Sequence, residues 1–181
     1  MKKAILITGV SGSGKTTICR TLKKLGYEAH DLESAKNMFM LIDPNTEQVI
    51  HDKQLSDLGN GLQADWVCNM PKLKKLIQNQ QNEVAFYCGG TSRTEELMQA
   101  FDFTVILQVS DETTVKRLSN RKKGEFGNEQ VVRDWVLTWK QKVESDWLAA
   151  GGIGVNAEPE PHVVAKAVVK IGAQPNSVRS K

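Results

Sequence analysis

The chain has 181 residues, 40% of them hydrophobic and 25% charged, with a formal net charge of +3 at pH 7. That length and mix suit one globular domain with one well-buried core, and the small charge argues against nucleic acid or a membrane surface as the main partner. No run of 18 apolar residues offers a transmembrane helix, and the three cysteines, without C-x-x-C spacing and away from the three histidines, read as reduced thiols of a cytoplasmic protein rather than a disulfide framework or a zinc site.

Met1-Lys2-Lys3 is followed by an apolar run too short for the core of a signal peptide. That run, residues 4–8, has β character. Gly9-Val10-Ser11-Gly12-Ser13-Gly14-Lys15-Thr16 follows, and then residues 17–25 carry helical periodicity that stops at Gly26. Residues 27–33 suit a second strand. Residues 34–82 are polar and mostly helical in character. They include breaks at 43–45 and 57–61, and a helix over 62–81 in which Pro71 must mark a start or a kink. Residues 83–88 are a third strand ending at Gly89-Gly90, with a helix near 94–100 beyond it. Residues 103–109 are a fourth strand, and 111–121 a helix capped by Ser110 or Asp111. A polar loop over 122–128 leads to a long helix, 129–150, closed by Gly151-Gly152. A last short strand (153–157), a helix (161–171) and a polar tail (173–181) complete the chain, with 1–172 forming a single domain.

Continuous apolar strands alternating with helices predict an α/β fold, a five-stranded parallel sheet between two helical layers, with ligands at the carboxyl ends of the strands. That rim would carry residues 9–16, 31–33, 89–93 and 109–111. The stretch from Gly9 to Thr16 is a complete G-x-x-x-x-G-K-[ST] loop in the strand–loop–helix setting that such a loop needs. Its glycines let backbone N–H groups turn inward around an anion, and the helix aims its positive end at the same point. Lys15 then reaches the β- and γ-phosphates, and the Thr16 hydroxyl can hold Mg²⁺.

In motif and element order the chain resembles the P-loop small-molecule kinases of the adenylate-kinase and shikimate-kinase group. The resemblance implies ATP and Mg²⁺ as ligands and a small-molecule acceptor chosen by residues 34–82, in a monomer or homodimer. Gly9, Ser11, Gly12, Ser13, Gly14, Lys15, Thr16 and Thr17 would form the phosphate cradle. Arg117 and Arg121 match the Arg-x-x-x-Arg that opens the lid of such enzymes, which makes Arg117 the base-stacking residue and Arg121 a phosphate clamp. Residues 122–128 would be the lid, and Arg133 a further lid arginine. The other reading of Arg117 and Arg121 is a solvated helix face.

Asp31-Leu32-Glu33 resembles the Asp-x-Asp of shikimate-kinase-like enzymes. By that likeness Asp31 would orient or deprotonate the acceptor hydroxyl, and Glu33 would help hold hydrated Mg²⁺. Gly89, Gly90 and Arg93 lie where such enzymes meet the acceptor, and Trp66 lies in the acceptor region. Ala157 and Pro159 lie where the family contacts the adenine edge. Two features depart from the pattern: the third strand ends Phe86-Tyr87-Cys88 without a carboxylate, and the Gly-Glu-x-x-Phe-Arg acceptor segment is missing from 34–82. Trp135, Trp139 and Trp147 share a helix with valines. Core packing is the expectation for them, with a base-stacking platform as the alternative. Neither D-x-x-G nor N/T-K-x-D is present, against a GTPase. The alternative function is a P-loop regulator or weak ATPase without a small acceptor.

Overall fold

The computed structural model describes residues 2–174. The predicted tail lies outside the described residues from 175 onward. In chain order the strands are β1 (Lys3–Thr8), β2 (Glu28–Asp31), β3 (Phe39–Ile42), β4 (Asp65–Cys68), β5 (Val84–Cys88), β6 (Phe103–Gln108) and β7 (Ile153–Asn156). The helices are α1 (Lys15–Lys24), α2 (Met70–Gln78), α3 (Thr94–Met98), α4 (Asp111–Ser119), α5 (Gln130–Ala149) and α6 (Pro161–Gly172).

Five strands form one sheet in the order β2-β5-β1-β6-β7, and every neighbouring pair is parallel. Side chains of successive residues leave a strand on opposite faces, and both faces of this sheet are dry. Ile5, Ile7, Phe86, Cys88, Val105 and Leu107 pack with Ile18 and Leu22 of α1 and Val164 and Val168 of α6. Ala4, Leu6, Ala85, Tyr87 and Ile106 pack the other way, with Leu73 of α2, Leu97 and Met98 of α3 and Trp147 of α5. Strands buried on both faces read as continuous apolar runs, which is why β1, β5 and β6 are plain in the sequence. The α/β architecture with its five parallel strands is the one expected.

The segment before β5 differs from its expected helical character. β3 and β4 pair antiparallel in a separate two-stranded sheet, Phe39 opposite Cys68 and Ile42 opposite Asp65. A single 3-10 turn, Leu55–Leu58, lies between them. The helix expected from residue 62 begins only at Met70. Asn69 caps it by accepting from the Lys72 N–H at 3.1 Å, and Pro71 sits in its first turn, where a missing N–H costs nothing. β4 is held as a strand by the sheet rim. The Ser92 N–H donates to Trp66 O at 2.8 Å, and the Trp66 N–H donates to Ser92 Oγ at 3.0 Å.

Candidate active site

The Gly9–Thr16 loop joins β1 to α1 at the carboxyl edge of the central strand. Gly9 has φ +150°, and a Cβ there would lie 2.6 Å from both Leu107 O and Ser13 Oγ, so no side chain fits. Gly14 precedes α1 in the left-handed region and gives it no side-chain cap, and the first turn of the helix contains no acid. The Lys15, Thr16 and Thr17 N–H groups therefore have no intrahelical acceptor and point out of the helix end. Ser13 Oγ is buried without a partner. A cradle of unclaimed donors at a positive helix end fits a phosphate chain.

Two cavities meet at this loop. The first, about 440 Å³, is lined by Gly12–Ile18 of the loop and α1, by Glu33, Arg117 and Arg121, and by residues 157–161. The Arg117 guanidinium closes one side. It donates to Gly12 O at 3.2 Å, Ser13 O at 3.1 Å and Ala157 O at 3.0 Å, which ties the phosphate loop to the turn after β7. Glu158 anchors that turn from the far side by accepting from the Ser110 N–H and from Thr113 Oγ1, both at 2.7 Å. Those hydrogen bonds, the Ser110 one foremost, hold its carboxyl below the ordinary range.

The second cavity, about 360 Å³, opens on the other side of the loop. Its walls are Gly9, Val10 and Ser11, the rim turn Gly90–Ser92, Leu55 and Leu58, Phe126, Val143, and Trp66, Trp135, Trp139 and Trp147. The chain has four tryptophans, and all four line this space. Trp135 and Trp139 meet edge to face at 5.4 Å, Phe126 stands edge-on to Trp135 at 6.4 Å, and Trp66 stacks on Phe39 at 5.5 Å.

Lys15, Glu33 and Arg121 belong to both linings. Lys15 Nζ lies 3.5 Å from Glu33 Oε1 and donates to Gly9 O at 2.9 Å. Arg121 donates to Phe126 O at 2.7 Å, so the α4–α5 loop is folded onto it. Burial pushes the Arg121 pKa down, and the Glu33 and Glu125 carboxylates oppose that. An arginine remains charged through such a change. The junction of the cavities thus carries two cations and one carboxylate.

The other sequence candidates fall in different places. Gly12, Ser13, Gly14, Thr16, Thr17, Ala157 and Pro159 line the first cavity with Arg117, while Gly9, Ser11, Gly90 and Trp66 line the second. Asp31, Gly89, Arg93 and Arg133 line neither. Asp31 ends β2, two residues after Ala29, which faces the α1 side of the sheet with Cys88. A Cβ on Gly89 would come within 3.1 Å of Leu32 Cβ, so Gly89 serves packing at the rim. Arg93, expected to meet the acceptor, is instead paired with Glu47 at 2.6 Å and Asp65 at 2.9 Å, and holds the β3–β4 unit to the rim. Arg133, expected among the catalytic arginines, donates to Gly127 O at 3.2 Å and to Asn128 O, bracing the α4–α5 loop from outside. Of the three tryptophans expected in the core, Trp147 belongs to it and Trp139 packs against it, and Trp135, Trp139 and Trp147 all border the second cavity as well. Leu55, Leu58, Phe126 and Val143 have no motif of their own that marks them as cavity residues. Among the described residues no cluster of three His, Cys, Asp or Glu side chains could hold a metal. The Thr16 hydroxyl and the Glu33 carboxylate are the protein groups beside the phosphate cradle, which suits Mg²⁺, a cation that keeps most of its shell in water and phosphate oxygens.

A parallel sheet with a G-x-x-x-x-G-K-T loop leading from its central strand into a helix defines a P-loop nucleotide-binding protein. The chain belongs to the AAA domain family, whose model matches residues 5–135. It is 29% identical over 153 residues to a thymidylate kinase of Buchnera aphidicola subsp. Baizongia pistaciae, covering 66% of this chain and 70% of that protein. It is 30% identical over 110 residues to a nucleotide-binding protein of Pseudothermotoga lettingae, covering 58% of this chain and 36% of that one. In three dimensions it matches a shikimate kinase from Acinetobacter baumannii in complex with shikimate, with a TM-score of 0.58 at 13% identity over 94% of this chain and 93% of the other. It also matches deoxyadenosine kinase from M. mycoides, with a TM-score of 0.54 at 16% identity over 93% and 97%. A gluconokinase from Sinorhizobium meliloti matches with a TM-score of 0.54 at 15% identity over 94% and 93%. The fold is that of the P-loop small-molecule kinases.

Proposed function

We propose that the chain is an ATP-dependent kinase that moves the γ-phosphoryl group of Mg·ATP, held in the first cavity, onto a hydroxyl of a small molecule held in the second. The observation that carries this reading is the shared junction. Lys15, Glu33 and Arg121 line both cavities, so a phosphoryl group passing between them stays within reach of two cations. Kinase names among the relatives and structural neighbours support the same class of reaction.

The chain's own groups supply positioning and charge, which is most of what phosphoryl transfer asks of a protein. The loop N–H groups and Lys15 hold the β- and γ-phosphates, Arg117 walls the base side, and Arg121 meets the charge on the equatorial oxygens. Thr16 would hold Mg²⁺, which when bound neutralises phosphate charge. Glu33 faces the acceptor hydroxyl. That moves the acceptor role from Asp31 to Glu33, because Asp31 borders neither cavity. In the step itself the hydroxyl oxygen bonds to the γ-phosphorus while the bond from that phosphorus to the β,γ-bridging oxygen breaks. The electron pair leaves with ADP, and the hydroxyl proton passes to Glu33 and on to water.

The test is a panel of nucleosides, nucleoside monophosphates, polyols and hydroxy acids with γ-labelled ATP. Label should appear on an acceptor, and Lys15→Ala should cut transfer at least about a hundredfold. That variant should keep its fold, since Lys15 Nζ contacts only the loop carbonyls and Glu33. One observation favours the other reading, a nucleotide-binding regulator or weak ATPase: β5 ends at Cys88 with no carboxylate to organise metal. Hydrolysis that no acceptor accelerates would establish that reading instead.

A further inference from the structure

The second cavity specifies its occupant more narrowly than the fold does. We propose that it takes an uncharged, flat-ringed hydroxyl compound of nucleoside type and rejects the corresponding phosphorylated compound. The proposal rests on the reading of the first cavity as the donor site.

Shape argues for a flat ring. Four indoles and the Phe126 ring stand around a space of about 360 Å³, near the lower end for small-ligand pockets and too small for a polymer. Aromatic walls of this kind hold planar rings by stacking. Neutral polar groups at the rim turn, the Thr91 and Ser92 side chains, share the lining and can serve ring substituents.

Charge argues for neutrality. Among the described residues, the cations lining the cavity are Lys15 and Arg121, and both also line the first cavity, where the donor's phosphates claim them. A phosphomonoester acceptor would bring about −2 more. Arg93, the nearest sequence candidate for that charge, is already paired with Asp65 and Glu47. Arg133 is held on the carbonyls of Gly127 and Asn128. An anion would also face Glu33. A cationic amino alcohol could use the indole faces, but Glu33, the carboxylate in the lining, already lies 3.5 Å from Lys15 Nζ. A neutral ring avoids both costs, and its hydroxyl lies toward Glu33.

Because every tryptophan lines this cavity, intrinsic fluorescence reads binding without reference to turnover. The full chain is titrated with thymidine, adenosine, their 5′-monophosphates and choline, with and without a non-hydrolysable ATP analogue and Mg²⁺. With the analogue present the monophosphates cannot report through the first cavity. A nucleoside should quench saturably and bind at least about tenfold tighter than its own monophosphate. Trp66→Leu should weaken that binding about tenfold. Trp135→Leu, on a different wall, provides the same reading if the Trp66 variant folds poorly. Equal or tighter binding of the monophosphate, quenching by choline in preference to the nucleosides, or no quenching by either nucleoside would overturn the proposal. Nucleoside binding without phosphoryl transfer would uphold the cavity's selectivity and refute the kinase reading. Transfer to a monophosphate would do the reverse.

Discussion

Arg117 acts on the first cavity through three carbonyl oxygens, two on the phosphate loop and one on the turn after β7. Its fork of donors spans loop and turn in a way an ammonium cannot. Arg117→Ala should therefore cost about 1.5–3 kcal/mol of stability and raise the KM for ATP more than it lowers kcat. Arg117→Lys should recover less than half of either loss, as urea unfolding and initial-rate kinetics would show. A role limited to surface charge would make the lysine variant equal to the parent. Arg117 and Arg121 could be found in the sequence because their spacing matches a known lid motif, although the helix expected to carry both ends at Ser119 and leaves Arg121 just beyond it. Glu33 could be found only as a neighbour of Asp31. Alternation along a strand puts those two side chains on one side, but β2 stops at Asp31, and beyond the strand end the alternation rule has no force. Arg93 and Arg133 were visible as cations near the rim. Their carboxylate and carbonyl partners lie 5 to 46 residues away in sequence, and a motif cannot register partners made by the fold.

β2 is an edge strand of four residues paired in parallel with β5, and Glu28 ties its start to the residues that lead into β5. The carboxylate accepts from the Gln81 N–H at 2.9 Å and the Asn82 N–H at 2.6 Å, and lies 3.0 Å from His30 Nε2. His30 in turn stacks on Tyr87 at 4.8 Å. Burial pushes the Glu28 pKa up, but the hydrogen bonds from Asn82, His30 and Gln81 outweigh it and leave the group below its ordinary 4.5. A carboxylate depressed on folding stabilises the protein above its unfolded pKa, and that stability is lost as pH falls through the folded value. Glu28→Gln should lose about 1–2 kcal/mol at neutral pH. The two proteins should converge as pH drops below 4.5. Parallel curves of melting temperature against pH would rule this out. Strand β2 has mediocre β propensity, so its residues mark it only weakly. The β3–β4 pair was not recognised at all. Its strands have four residues each, and they are joined by residues 43–64, far longer than the short turn that marks a hairpin in sequence. The Ser92 and Arg93 contacts that fix β4 come from the far side of β5, so local sequence carries no sign of them.

At the scale of the whole molecule, the order β2-β5-β1-β6-β7 puts the phosphate loop at the centre of the sheet, with a cavity on each side of it. The parallel sheet was legible because strands buried on both faces have a composition of their own, and the rim followed from the sheet. The walls of the second cavity were not legible. Its aromatic lining comes from β4, α5 and the α4–α5 loop, and the valines beside Trp135 and Trp139 give α5 the periodicity of a core helix. Only the packed molecule shows that one stretch of that helix faces open space. The two-cavity arrangement has a consequence for stability. Mg·ATP at about 100 times its Kd should stabilise the protein by roughly 2.7 kcal/mol, which for a chain of this size raises the melting temperature by about 5–10 °C. Lys15→Ala should abolish most of that shift, because Lys15 is built into the cradle. Trp66→Leu should preserve it, because Trp66 lines the second cavity and not the first. Loss of the ATP shift in Trp66→Leu would mean that the two cavities act as one binding site, and the assignment of donor and acceptor to opposite sides of the loop would fall with it.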